Sequence, residues 1–277
     1  MIIAKLMGGM GNQMFQYAIA RNLSLKYNVP LKIDLSFLQN KNMGANFVYR
    51  DYDLDLFNVF QDFEINQNRI LRFTQNQFEY SSQLIQSIEK SILEGSSVLL
   101  DGYWQSPLFF SENENQIRED FNFRDDVELQ SGQVKDILDK IKSTNSVMLN
   151  VRRTDYLNTS FHGVMGMDYI NKATQLIETK IENPHYFIFS DDVEWCKENI
   201  KLQNITFVDH SYKGDRFGWY LQLMSKCKHF IIPNSTFAWW AAYLNRNIDK
   251  IVIAPINWFT DGNINTTDLI PKNWIRI

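Results

Sequence analysis

From Val147 onward, short runs of branched and aromatic residues alternate with amphipathic stretches of helix length. This alternation constrains the fold more than any other feature, because strand–helix–strand repeats of this size place their strands in one parallel sheet. Strands read over 147–151, 186–189, 205–208, 229–232 and 251–254, and helices over 167–181, 195–199, 219–226 and 237–244. In an open parallel sheet, ligands sit beyond the carboxyl ends of the strands. Three of these ends carry polar runs: Arg152-Arg153-Thr154-Asp155, Ser190-Asp191-Asp192 and Asn234-Ser235-Thr236. The topology is expected to bring all three onto one rim.

Arginine is rarely buried without a partner, and its planar fork matches the two oxygens of a phosphate or carboxylate. On its own, Arg152-Arg153 would be satisfied by Asp155; the other two strand ends favour a ligand. Asn234-Ser235-Thr236 opens a helix, where free N–H groups and the dipole attract an anion. Ser235 fits either a helix N-cap or a hydroxyl donor to phosphate. Asp191 would repel phosphate; it suits a ribose hydroxyl, the N–H edge of a base, or an N-cap. Phe237, Trp240 and Tyr243 or Leu244 share a helix face that reads as core.

The first half is less regular. A strand over 2–6 runs into Met7-Gly8-Gly9-Met10-Gly11-Asn12-Gln13, and a helix follows over 13–26. Strand, glycine turn and helix open a nucleotide-type domain, but Phe15 and Gln16 stand where a dinucleotide fingerprint needs its third glycine, so no NAD site is expected. The turn offers the amides of Asn12 and Gln13, with Asn12 fitting a helix cap as well as a ligand contact. A second strand reads over 29–35. Asp53-Leu54-Asp55 has the look of a metal pair, yet alternation over 51–57 better fits an extended segment with one wet face. The stretch 66–97 reads as helical in part. A strand over 98–104 exits through Tyr103-Trp104, aromatics that suit either sugar stacking or the core. An amphipathic stretch over 112–142 ends at the expected boundary between domains 1–143 and 144–277.

A net charge of −4 argues against a nucleic-acid surface, so any anion site must be local. Two cysteines in 277 residues, Cys196 and Cys227, build neither a disulfide scaffold nor a zinc site and read as buried small hydrophobes in a reducing compartment. No signal-peptide core or membrane-length apolar run is present, so the expectation is a cytoplasmic protein that can visit the inner membrane face.

Four segments together resemble the inverting α-1,2-fucosyltransferases of family GT11. They are Gly8-Gly-Met-Gly-Asn-Gln-Met-Phe-Gln-Tyr-Ala18, Val151-Arg-Arg-Thr-Asp-Tyr156, Phe187-Ile-Phe-Ser-Asp-Asp192 with Trp195-Cys196, and Leu223-Met-Ser-Lys-Cys-Lys-His229 through Pro233-Asn-Ser-Thr-Phe-Ala-Trp-Trp-Ala-Ala-Tyr-Leu244. The resemblance implies a GT-B fold, α/β with two Rossmann-like doubly wound domains facing a central cleft. It also implies GDP-β-L-fucose as donor, a β-galactoside oligosaccharide as acceptor in surface-glycan synthesis, no metal and no other cofactor. By the same resemblance, Arg152, Arg153, Ser190, Asp191, Asn234, Ser235 and Thr236 fall on the donor side, Asn12 and Gln13 on the acceptor side, and peripheral contact with a membrane-bound glycan carrier is an expectation. The chain departs from the family at Asn150, where the family usually has His, at Thr154, where it usually has Gly, and at Gly218-Trp219-Tyr220, which lacks an acidic residue. These departures leave colitose open beside fucose, and a non-catalytic binding module beside an enzyme. For chemistry, Arg152 is expected on the β-phosphate, Asp155 as a brace for the arginines, His162 as the base for the acceptor hydroxyl, and Asn150 in place of an imidazole.

Overall fold

A computed structural model of the chain describes residues 1–42, 44, 48–63, 70–75, 78–124, 132–154, 157 and 163–277. The chain divides into two compact units, Met1–Arg124 with Ile264–Pro271, and Asp125–Asn263 with Lys272–Ile277. The boundary therefore falls about twenty residues before the expected 143/144, and a C-terminal segment returns to the first unit. Amphipathicity announces that a helix has a dry face; it does not say which sheet that face meets.

The first unit contains β1 (Ile2–Lys5), α1 (Met10–Tyr27), β2 (Leu31–Asp34), α2 (Ser36–Gln39), β3 (Ile70–Thr74), α3 (Ser82–Leu93), β4 (Ser97–Asp101) and α4 (Glu114–Asp120). Its four strands are all parallel, in the order β2-β1-β4-β3. Gly8 adopts φ +75°, and a Cβ there would lie 2.6 Å from the Asn12 amide nitrogen, so the turn that launches α1 requires glycine. The helix starts at Met10 with Gly9 as N-cap; Asn12 lies inside it and does not cap. The segment around Asp53 is a single tight turn over Leu54–Leu56 rather than an extended strand, with Leu54, Leu56 and Phe57 buried. The returning segment is fastened by Ser106 Oγ donating to the Asp268 carbonyl at 2.7 Å, and by Tyr80 N donating to the Asp268 carboxylate at 3.3 Å.

The second unit contains α5 (Gly132–Ser143), β5 (Asn145–Val151), α6 (Met167–Glu178), β6 (Pro184–Ser190), α7 (Val193–Asn199), β7 (Ile205–Val208), α8 (Gly218–Lys226), β8 (His229–Ile231), α9 (Thr236–Leu244), β9 (Val252–Ala254) and β10 (Ile275–Arg276). All six strands are parallel, in the order β10-β9-β8-β5-β6-β7. Central strands buried on both faces explain the unbroken apolar runs that marked them in the sequence. Val147, Leu149, Ile188 and Ile231 pack with Ile170, Ala173 and Ile177 of α6 and with Cys196. Both cysteines are free and buried, and burial pushes both thiols up, as for small hydrophobes rather than nucleophiles. Helix α9 is buried nearly all round, with Trp239 and Trp240 in edge-to-face contact, rather than along the single face expected. No helix among the described residues is long and apolar enough to cross a membrane.

Candidate active site

The site forms where β5, β6 and β8 end together. Across β5 and β6, Val151 is level with Ser190; across β5 and β8, Leu149 is level with Ile231. Residues 152–154, 191–192 and 234–236 therefore leave one edge of the sheet side by side, as strand register requires.

Asp191 organises the first two segments. One carboxylate oxygen accepts the Arg153 backbone N–H at 2.9 Å; the other accepts the Thr154 hydroxyl at 2.7 Å and pairs with Arg152 Nη1 at 3.3 Å. The Asp191 side chain is only 4% exposed, against 30% for Arg152. Its oxygens are turned onto the arginine loop, which corrects the N-cap expected of it. The N-cap of α7 is Asp192, which accepts the Trp195 N–H at 3.2 Å and whose own N–H donates to Ser190 Oγ at 2.9 Å. Ser190 is thus part of the turn.

The two arginines divide their tasks. Arg153 donates through Nε to Asp192 at 3.2 Å and lies 3.8 Å over the Trp195 ring, so it is held at one edge and on one face. Arg152 has its ion pair to Asp191 and remains the more exposed of the two. Asn150 donates its side-chain amide to the Phe189 carbonyl at 2.9 Å, spending it on the sheet. Asp155 and His162 lie outside the described residues.

At the third segment, Asn234 is buried and donates to the Trp258 carbonyl at 3.0 Å and the Gly163 carbonyl at 3.4 Å. It fixes the turn. Ser235 occupies the N-cap position of α9 with extended backbone, yet its hydroxyl makes no cap bond. The first N–H groups of α9 and the Ser235 hydroxyl are therefore disposed as an anion site, with Thr236 half-buried beside them.

A fourth strand end went unread. His210 follows β7, in edge contact with Phe217 at 5.0 Å and Tyr220 at 5.6 Å. Burial lowers its pKa, Asp191 opposes that shift, and Arg152 and Lys213 reinforce it. Tyr220 donates to the carbonyls of Val208 at 2.7 Å and Ser190 at 3.3 Å, tying β6 to β7. The strand over 205–208 was legible, so the rule applied to the other three ends would have found His210. Among the described residues, no group of three His, Cys, Asp or Glu could hold a metal ion.

In the first unit, Gln13 is fully engaged: it donates to the Gly8 carbonyl at 3.0 Å and the Asp51 carbonyl at 2.8 Å, and accepts the Asp53 N–H at 2.9 Å. Asn12 accepts from the Gln105 amide at 2.9 Å.

Comparison with known proteins places these features in context. A family model described as glycosyl transferase family 11 matches residues 2–277. An alpha-1,2-colitosyltransferase of Escherichia coli is 32% identical, covering 100% of this chain and 98% of that one. Human galactoside alpha-(1,2)-fucosyltransferase 1 is 32% identical across 57% of this chain and 46% of its own. Among solved structures, fucosyltransferase NodZ from Bradyrhizobium superposes with a TM-score of 0.51 at 12% identity, over 87% of this chain and 90% of that one.

Proposed function

Since the chain belongs to glycosyl transferase family 11 and has the paired parallel-sheet units of a GT-B fold, we propose that it transfers L-fucose from GDP-β-L-fucose, with inversion, to the 2-hydroxyl of a β-galactoside. One observation carries the reading: a partly exposed arginine and a helix N-terminus with an unspent serine hydroxyl leave the same sheet edge. In such a transfer, negative charge grows on the departing diphosphate while the sugar becomes oxocarbenium-like. Preorganised donors aimed at that charge stabilise the transition state.

Arg152 holds the β-phosphate, with Ser235, Thr236 and the α9 N–H groups beside it. Asp191 fixes the loop that presents Arg152, and Arg153 buttresses the loop from behind. The diphosphate charge is met by side chains and backbone, so no divalent ion is required. Asn150, joined to the Phe189 carbonyl, acts on the strand end rather than on a proton. His162 remains the proposed base for the acceptor hydroxyl.

A second donor, GDP-colitose, is favoured by the colitosyltransferase similar over the full chain. Colitose lacks the 3-hydroxyl of fucose, and a site built to hydrogen-bond that hydroxyl discriminates strongly against its absence. Transfer from GDP-fucose and GDP-colitose to lactose, read by mass spectrometry with chelator present, tests the reading. The expected product is lactose heavier by one deoxyhexose residue from GDP-fucose, or one dideoxyhexose residue from GDP-colitose, carried on the 2-hydroxyl of its galactose. No product from either donor, or product only with added metal, contradicts it.

A further inference from the structure

Resting on the diphosphate rim proposed for the second unit, we propose that the hydroxyls of Tyr220 and Tyr169 are positioning groups for the donor site. Each staples two neighbouring strands at the carboxyl edge of the sheet and so aims one half of the rim.

Tyr220, on α8, is 4% exposed. Its hydroxyl donates to the carbonyls of Val208 at 2.7 Å and Ser190 at 3.3 Å, the last residues of β7 and β6. Tyr169, near the start of α6, does the same on the other side of β5. Its hydroxyl donates to the Ile232 carbonyl just past β8 at 2.6 Å, and to the Ile253 carbonyl of β9 at 3.2 Å. Burial pushes both phenols up, so each stays protonated and remains a donor.

The residues that follow these carbonyls form the rim. A peptide unit is planar, so a carbonyl held in place also fixes the direction in which the next residue leaves. Beyond Ser190 comes Asp191, which accepts the Arg153 N–H and the Thr154 hydroxyl and pairs with Arg152. Beyond Ile232 comes Pro233, whose ring locks its φ, then Asn234 and Ser235, with the Ser235 N–H donating to the Pro233 carbonyl at 2.8 Å. Tyr220 therefore acts on Arg152 through Asp191, and Tyr169 acts on Ser235 through Pro233.

Tyr220 is itself held firmly. Its ring meets Phe189 at 5.0 Å, His210 at 5.6 Å and Phe217 at 5.9 Å. The turn before α8 places Arg216 at φ +43° and Phe217 at φ +65°, conformations that non-glycine residues keep only where their surroundings over-determine them. In the same turn a Cβ on Gly214 would run into the Trp219 ring. Tyr186 provides the control within the same unit. Its hydroxyl donates to the Thr174 carbonyl at 3.3 Å, inside α6, and no rim residue follows that carbonyl.

Phenylalanine variants of the full chain remove each hydroxyl and keep each ring. With whichever GDP-sugar the wild type transfers to lactose, Tyr220→Phe and Tyr169→Phe are expected to lower kcat at least about tenfold. The lactose KM stays within about twofold, and Tyr186→Phe stays within about twofold throughout, thermal melts showing all three folded. A mutant cycle separates positioning from general loosening. In an Asp191→Ala background, Tyr220→Phe is expected to lower the melting temperature as before but to leave kcat unchanged. Rim variants with the kinetics of Tyr186→Phe, or a Tyr220→Phe loss that multiplies in full on Asp191→Ala, overturn the staples alone. A wild type that neither turns over nor binds GDP in calorimetry fails the transferase reading, and the staples fall with it.

Discussion

The two units use the same parallel-sheet architecture but place charge differently at its strand ends. In the second unit the β5 and β6 exits carry Arg152, Arg153, Asp191 and Asp192, a charged web in which Arg152 is the more exposed arginine. In the first unit the charges closing β1 and β4, Lys5 and Asp101, pair with each other, and Asp101 also with Arg72, and the residues beyond the strands are the carboxamides Asn12, Gln13, Gln75 and Gln105. A charged rim suits the diphosphate proposed above, whereas neutral carboxamides both donate and accept. Fold positions the rim in both cases, and side chains decide what the rim can do.

The largest expected break in this comparison is Arg152→Lys. A point charge cannot replace the planar fork, and losing one such oxyanion donor costs about 10²–10³ in kcat. Steady-state assays should find that loss, with secondary structure intact by circular dichroism; near-wild-type turnover would contradict the assignment. Next comes Asp191→Ala, which strips the Arg153 N–H, the Thr154 hydroxyl and Arg152 of one shared partner. Urea unfolding should show a loss of about 2 kcal/mol, accompanied by a higher donor KM.

A paired substitution sharpens the contrast. Ser81 caps α3 in the first unit, accepting the Leu84 N–H at 3.2 Å, whereas Ser235 heads α9 with no such bond. Ser81→Ala should cost about 1 kcal/mol of stability and leave the donor KM alone. Ser235→Ala should change stability by under about 0.5 kcal/mol and raise the donor KM several-fold. The reverse pattern would make Ser235 an ordinary cap.

The smallest effect is in pH. All four histidines lie in the second unit. Burial lowers His185, His210 and His229 below 6.5, with Lys140 and Lys228 adding to the shifts of the first and last. Unfolded imidazoles then protonate before folded ones, so this support is complete above pH 6.5 and declines as pH falls toward the folded values. In the first unit, burial raises Asp101 but hydrogen bonds from Arg72 and Lys5 outweigh it and leave it lowered. That support is lost only below pH 3.8. Hydrogen exchange at pH 5, corrected for intrinsic rates, should show protection weakening in the second unit while the first holds.

Much of this division was legible in the residues. The strands β5 to β9 announced themselves because burial on both faces leaves continuous apolar runs. Strand β3 did not, since Leu71, Arg72 and Thr74 are exposed along this edge strand and no alternation survives. The rim was foreseen as a set of strand ends, but adjacent acids cannot be told apart by composition; register turned Asp191 toward the arginines and left the cap to Asp192. Gln13 looked like a ligand contact because a glutamine amide carries no sign of the backbone groups that will claim it. The return of residues 264–271 to the first unit leaves no local pattern at all, being fixed by contacts such as Ser106 with Asp268.

The central claim is that the second unit's charged rim grips a diphosphate. A crystal structure of the chain with GDP tests it most directly. The account predicts β-phosphate oxygens within ~3 Å of the Arg152 guanidinium and of the Ser235 hydroxyl or first N–H groups of α9. A diphosphate bound away from Arg152 and α9 would contradict it.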